Sequence, residues 1–393
     1  MTTNWVVKAI IVLILFKPTT SWANDIYISQ SGDNIDMTIV QDGENNVISS
    51  VAGNTRKAPI SGNNTSTTFT QTGDNNDIGV YMSAGNGQQT VTQTGNTNYA
   101  TSDCHGNNCS TTITQYGNNN SANLEFGNGG DYDNTGTITQ DGDYNAAGME
   151  ANGDDNTFVI DQDGDNNAVG GITGAPITGD NNVLSITQNG DYMTFEGHLI
   201  GSNNSLTSFQ GGSANNSFIR VSTVGSNNTG DLRQGKRLDG NVDNNDSGNH
   251  EQYITVVGDG NTINTSQVNS NGANSDHHMA HIITGDSNTV SHEQFANNKK
   301  QGYIEITGDS NTVSLQQRNG ANHLADINLT GDDHTVTGTQ WGQGGAHNFT
   351  VDLTNSGGAY NMSTTQTSNT AQTYSLTGSC ATVGGCAVSV FQN

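Results

Sequence analysis

Proline is almost missing from this 393-residue chain, with only Pro18, Pro59 and Pro176 present. Proline removes a ladder hydrogen bond and is usually abundant in disordered segments, so its scarcity fits extended pairing and argues against a flexible tail. Aromatic side chains make up 6% of the chain and apolar ones 31%, against roughly 45–50% apolar in typical soluble domains. A conventional thick core is excluded on that count. Bases are scarce as well: 11 Lys and Arg stand against 37 acids, a formal charge of −26. Such a surface repels nucleic acid and anionic lipid and attracts cations, so no nucleic-acid partner is expected.

Long apolar runs are also absent after the first few residues. Residues 1–23 differ from everything that follows: MTTNWVVK ends at Lys8, AIIVLILF is an apolar run of eight, and Ser21-Trp22-Ala23 forms a small-x-small site before Asn24. This pattern reads as a secretory signal peptide whose apolar part is too short to span a bilayer. The mature chain is therefore expected outside the cytoplasm, with no stable membrane insertion. Loss of Lys8 and Lys17 leaves nine bases against 37 acids, a formal charge of −28.

The four cysteines sit in two close pairs, Cys104 with Cys109 and Cys380 with Cys386. In an exported protein each pair reads most simply as a disulfide across a glycine turn. A structural zinc site is the rival, but it takes four ligands and the pairs lie far apart.

What is present is a repeat. A glycine is followed nine residues later by a glutamine in twelve places, from Gly32 to Gln41 through Gly179 to Gln188 and on to Gly357 to Gln366. Low apolarity with high charge would ordinarily mean disorder, yet a disordered chain has no reason to keep register. From Gln41 to Gln210 the glutamine also leads into a turn signature, Q-x-G-x-x-N. Glycine and asparagine tolerate positive φ, and asparagine side chains bond nearby backbone, so these are turns.

The segments between turns read as strands. Four residues before the registered glutamine stand Met37, Phe158, Leu184, Leu206, Ile263, Val290, Val313, Val336 and Met362. Two before it stand Ile39, Phe69, Ile113, Ile160, Ile186, Leu232 and Leu315. The positions between are mainly Thr, Ser and Asp, so period-two alternation puts the apolar residues and glutamine on one face. The expected fold is all-β, a β-solenoid of stacked strand-turn-strand coils of about 22 residues, amyloid-like, each coil holding two segments of about six residues. Stacking about 4.8 Å apart would let a column of glutamine amides satisfy one another. The expected amide ladder is Gln41, Gln71, Gln93, Gln115, Gln140, Gln162, Gln188, Gln210, Gln234, Gln267, Gln294, Gln317, Gln340 and Gln366.

Along the chain, residues 24–228 carry the first repeat subtype. Residues 229–250, with Arg233, Lys236 and Arg237, read as an irregular insertion. Residues 251–366 carry a second subtype in GDGNTI and GDSNTV forms. Residues 367–393 lose the register and read as a C-terminal capping segment.

These residues resemble the curlin repeat of curli-type amyloid fibre subunits, S-x5-Q-x-G-x-x-N-x-A-x3-Q. Gln93, Gly95, Asn98 and Ala100 match its middle, as do Gln115, Gly117, Asn120 and Ala122, and Gln140, Gly142, Asn145 and Ala147. The resemblance is good over about 41–215 and looser over 24–366. The second glutamine of that pattern is replaced by Met82, Phe126 and Thr173. The resemblance implies an extracellular, pilus-like fibre that supports adhesion and a biofilm matrix. It implies self-association, with a nucleator subunit and an outer-membrane secretion apparatus as partners.

Other chemistry finds little footing. DGNVDNND at 239–246 offers Asp239, Asn241 and Asp243 at calcium-loop spacing, but His250 falls where the twelfth-position glutamate belongs, so these read as solvated turn acids. His277, His278 and His281 cluster without a fixed-spacing partner beyond Asp276 and read as solvated histidines. No glycine segment is followed by Lys-Ser/Thr, and no serine stands in a nucleophile elbow. Neither an enzyme nor a cofactor is expected, and the alternative to a fibre subunit is a monomeric solenoid adhesin or ice-binding protein with a Thr/Ser face.

Overall fold

The computed structural model describes residues 24–393 except 27–28, 49–58, 83–84, 104–107, 127–132, 171–174, 213–216, 237, 239–249, 270–276, 296–297, 319–321, 343, 353–357, 379 and 381–384. The signal-peptide segment, the 239–246 acidic loop and Cys104 lie outside the described residues. Among the described residues every regular element is a strand, and neighbouring strands pair in parallel. The fold is a β-solenoid. The chain forms two compact units, Met1–Leu184 and Ser185–Asn393.

In the first unit the backbone of each coil is a seven-residue strand: β1 Asp36–Asp42, β2 Ser66–Thr72, β3 Gln88–Thr94, β4 Ser110–Tyr116, β5 Thr135–Asp141 and β6 Thr157–Asp163. They pair in sequence with identical positions aligned, so that Ile39, Phe69, Val91, Ile113, Ile138 and Ile160 form one inward column. A slip of one residue would turn that column out to solvent, which is why the alternating pattern specifies the register. Burying one such side chain contributes about 1.5–3 kcal/mol. The column is only one residue wide, so backbone pairing and amides must supply much of the rest.

Each long strand ends in a tight turn. At the turn after β4, Gly117 has φ +105°, and a Cβ there would lie 2.0 Å from the carbonyl oxygen of Gly142 in the next coil. Only glycine permits that approach. Beyond the turn come two shorter strands rather than one further segment of about six residues. Ser121–Ala122 pairs with Tyr99–Ala100 and Ala146–Ala147, and Glu125–Phe126 pairs with Met149–Asn152. A coil of this unit therefore carries three strands where the spacing suggested two, because two-residue strands are too short to show alternation. Where Gly136, two residues before Ile138, puts no side chain on the inward face, the Phe158 ring fills the space and packs 5.2 Å from Phe126.

β7, Val183–Asn189, begins in the first unit and ends in the second. The second unit continues with β8 Ser205–Gly211, β9 Thr229–Gln234, β10 Thr262–Val268, β11 Thr289–Phe295, β12 Thr312–Gln317, β13 Thr335–Gln340, β14 Tyr360–Gln366 and β15 Cys386–Gln392. From β8 to β15 these strands also pair consecutively and in register. Thr229–Gln234, the start of the stretch expected to be irregular, is the strand β9. Residues after Gln366 keep the register despite losing the glycine spacing: Gln392 lies opposite Gln366, and Thr373–Thr377 pairs with Asn348–Asp352. Cys380 and Cys386 are joined by a disulfide within this last coil, and Cys109 is also disulfide-bonded.

Candidate functional site: the inward amide columns and the strand edge

Glutamine follows the inward apolar residue by two positions on each long strand, so the same alternation buries it. In the first unit Gln41 Nε2 donates to Gln71 Oε1 at 2.8 Å, Gln71 to Gln93 at 3.0 Å, Gln93 to Gln115 at 2.9 Å, Gln115 to Gln140 at 2.8 Å and Gln140 to Gln162 at 2.8 Å. The second amide proton goes to a backbone carbonyl of the short strand that follows the preceding glutamine, as from Gln115 to Tyr99 O at 3.0 Å. Each amide in mid-column thus has both protons and its oxygen engaged, which a buried amide requires. The steps along this ladder are 30, 22, 22, 25 and 22 residues.

In the second unit Gln188 donates to Gln210 at 2.8 Å, Gln210 to Gln234 at 3.0 Å and Gln234 to Gln267 at 3.1 Å, with Gln267 to Gln294 stretched to 3.5 Å. Gln294, Gln317 and Gln340 instead donate to backbone carbonyls of His278, Gln301 and Leu324, and no hydrogen-bond partner is found for the side-chain oxygens of Gln317, Gln340 and Gln366. Gln366 reaches on to Gln392 at 2.6 Å. The amides occupy one column throughout the unit, but between Gln294 and Gln366 they bond the backbone rather than one another.

Two further columns accompany the glutamines. The asparagine closing each Q-x-G-x-x-N turn accepts the next coil's backbone amide: Asn98 N–H donates to Asn76 Oδ1 and Asn120 N–H to Asn98 Oδ1, both at 3.0 Å, while Asn120 Nδ2 reaches Gly142 O at 2.7 Å. A second asparagine column precedes the long strands, with Asn228, Asn261, Asn288 and Asn311 each donating its backbone N–H to the Oδ1 of the asparagine before. Aspartates do the same at the outer turns, Asp259, Asp286 and Asp309 donating N–H to Asp286, Asp309 and Asp332 at 2.7, 2.8 and 2.9 Å.

In the second unit histidine takes the asparagine's place. His250, His277, Lys300, His323 and His347 immediately precede aligned positions of the short strands and are buried, with His250 stacked on His277 at 4.9 Å and His323 on His347 at 5.0 Å. His281 and His292 are likewise buried and meet edge to face at 5.4 Å. The expectation of solvated histidines at 277 and 281 is thus overturned: both are buried, because pairing of His278 with Glu251 and Gln301 puts His277 in the inward column and His281 packs against His292. Burial holds His281 down to about 3 and lowers Lys300 to about 8.

The outward face of β2 to β5 presents Thr68 and Thr70, Thr90 and Thr92, Thr112 and Thr114, and Thr137 and Thr139 in aligned rows. On β1 one row continues to Thr38 and the other stops at Val40, and both stop at Val159 and Asp161 on β6. At the other extreme of interest is β15, last in its sheet order. Its inward-type residues Val388 and Val390 are half-exposed, and Phe391 is 70% exposed.

A family model described as the curlin-associated repeat matches residues 133–164. The chain carries a curlin-associated repeat. The matched stretch holds β5, the Gly142-Asp143-Tyr144-Asn145 turn and β6. The curlin match therefore falls on a complete coil and on the Gln140–Gln162 hydrogen bond. No curated protein matches the chain. Among the described residues no helix is long and apolar enough to cross a membrane.

Proposed function

We propose that the chain is an exported structural subunit of curli-like extracellular amyloid fibres, which supports adhesion and a biofilm matrix by edge-to-edge stacking of its coils. The observation that carries this reading is β15. It continues the register of the coils before it, yet among the described residues no strand pairs with its far edge or covers its inward side chains. A strand edge of this kind is a template for another chain unless something blocks it. The curlin repeat at 133–164 supports the same reading. The role is structural, the glutamine columns serving as an amide ladder and the second copy of the chain as the principal partner. The nucleator subunit and secretion apparatus implied by the resemblance belong to this proposal too.

The test is negative-stain microscopy with thioflavin fluorescence over days on the purified chain lacking residues 1–23. Thioflavin-positive fibres that grow with time are expected. A second reading, a monomeric binder, draws on the uncharged threonine rows of β2 to β5, a flat face able to order water or meet a regular surface. A species that stays monomeric on size exclusion over the same days, with no fibres, would favour it and overturn the first.

A further inference from the structure

Among the described residues the second unit holds seven buried histidines, and the ring nitrogens of three of them, His277, His323 and His334, stand where the first unit uses asparagine oxygens. His277 Nδ1 accepts the backbone N–H of Lys300 at 3.3 Å, His323 Nδ1 that of His347 at 3.2 Å, and His334 Nδ1 that of Tyr360 at 3.0 Å. His334 stands in the column of Asn288 and Asn311, and its own N–H donates to Asn311 Oδ1 at 2.8 Å. An Nδ1 that accepts an amide proton must be unprotonated, so each of these rings is neutral with its proton on Nε2. His323 Nε2 accordingly lies 2.9 Å from Arg318 O. An asparagine oxygen in the same place cannot take up a proton near neutral pH. A histidine nitrogen can, and on doing so it turns from acceptor to donor against another donor.

Burial opposes a proton on these rings: at His347, backbone hydrogen bonds with Trp341 and Ser368 favour the charged form, yet desolvation outweighs them and lowers the ring. His250 lies on His277 with an interplanar angle of 3°, His323 on His347 with 2°, and the ammonium-bearing Lys300 occupies the coil between the two stacks. The His292 ring fits only because Gly302 lacks a side chain, whose Cβ would lie 2.0 Å from Cε1. The titratable groups facing these rings are few. Asp332 and Asp333 lie beside His334 and favour its charged form, but burial outweighs them and lowers the ring. His281 and His292 disfavour one another's charge. Glu293 is paired with Arg318 at 3.3 Å, and Glu251 lies 3.9 Å from Nε2 of the half-exposed His278.

We propose that this histidine-lined part of the second unit, from His277 to Gln366, is a proton-operated latch: mild acid opens its coils while the asparagine-lined coils of the first unit stay closed. The sign follows from linkage. A ring held neutral when folded and free to titrate at the ordinary imidazole value of about 6.5 when released binds more protons in the open state. Stability is then full above about 6.5 and falls as pH drops, down to about 3 for His281. A ring that stays neutral in the closed coils and takes up a proton on opening makes opening about tenfold more favourable per pH unit below about 6.5. The upper part of that range, down to about pH 5.5, lies above the titration of ordinary carboxylates, so there the acidic turns take little part.

Hydrogen exchange measured by mass spectrometry on the purified full chain at pH 7.4 and pH 5.5, corrected for intrinsic rates, tests this. Peptides within 277–366 should lose protection at least about a hundredfold at pH 5.5, whereas peptides within 88–163 should change less than about threefold. His334→Asn restores the residue type of its own column and should reduce the loss about tenfold at that pH. His323→Asn, a replacement in the other column, should also reduce it. Equal change in the two regions, no change in either, or undiminished acid response in both variants would overturn the proposal. Full protection of both variants at pH 7.4 shows that they are folded. A variant unprotected at pH 7.4 would also count against it, since asparagine would then fail to replace the ring.

Discussion

Gln115 is the residue at which the ladder can be tested most cleanly. It accepts from Gln93 at 2.9 Å and donates to Gln140 at 2.8 Å and to Tyr99 O at 3.0 Å. Gln115→Leu leaves three buried polar groups unpaired and should cost about 3 kcal/mol, whereas Gln340→Leu, whose oxygen has no partner, should cost about 1 kcal/mol. Urea midpoints of the two variants check the difference. Gly117→Ala should do more damage than either, at least about 3 kcal/mol, since the new Cβ meets the Gly142 carbonyl in a left-handed turn. The same titration would show it. These residues were legible in the sequence because spacing alone put glutamine on the inward face and glycine at the turn. The histidines were not. The turn asparagine comes five residues after Gln71, at Asn76, but His323 comes six after Gln317 and His347 seven after Gln340. One or two added residues hide the shared column from a spacing rule, and only backbone register recovers it.

At the scale of the strand, the alternating seven-residue segments were readable and the short ones were not, since a two-residue strand such as Ser121–Ala122 has no period to detect. The last coil escaped for a related reason. Glycines fall at 384 and 385 rather than nine residues before Gln392, yet parallel pairing with β14 restores the alignment. That strand also gives the assembly reading its most local test. Val388→Lys with Val390→Lys places charge on the inward face of an open edge, where two lysines need not leave the monomer's covered core. Elongation of thioflavin-positive fibres should slow at least about tenfold, with little change in the urea midpoint of the monomer. Unchanged elongation would mean that β15 is not a growing edge.

For the whole molecule, a charge of −26 concentrated in the turns sets how separate chains meet. Calcium or added salt should shorten the lag before fibres appear by screening that repulsion, which light scattering can follow from 10 mM to about 150 mM salt. Acid adds a second effect in the histidine-lined coils, so salt at constant pH is the cleaner variable. The account depends throughout on parallel, in-register coils continuing from one copy of the chain to the next. Fibre X-ray diffraction on assembled chains reads that directly. A strong meridional reflection at about 4.7–4.8 Å is the expected result, and ordered assemblies lacking that reflection would contradict it.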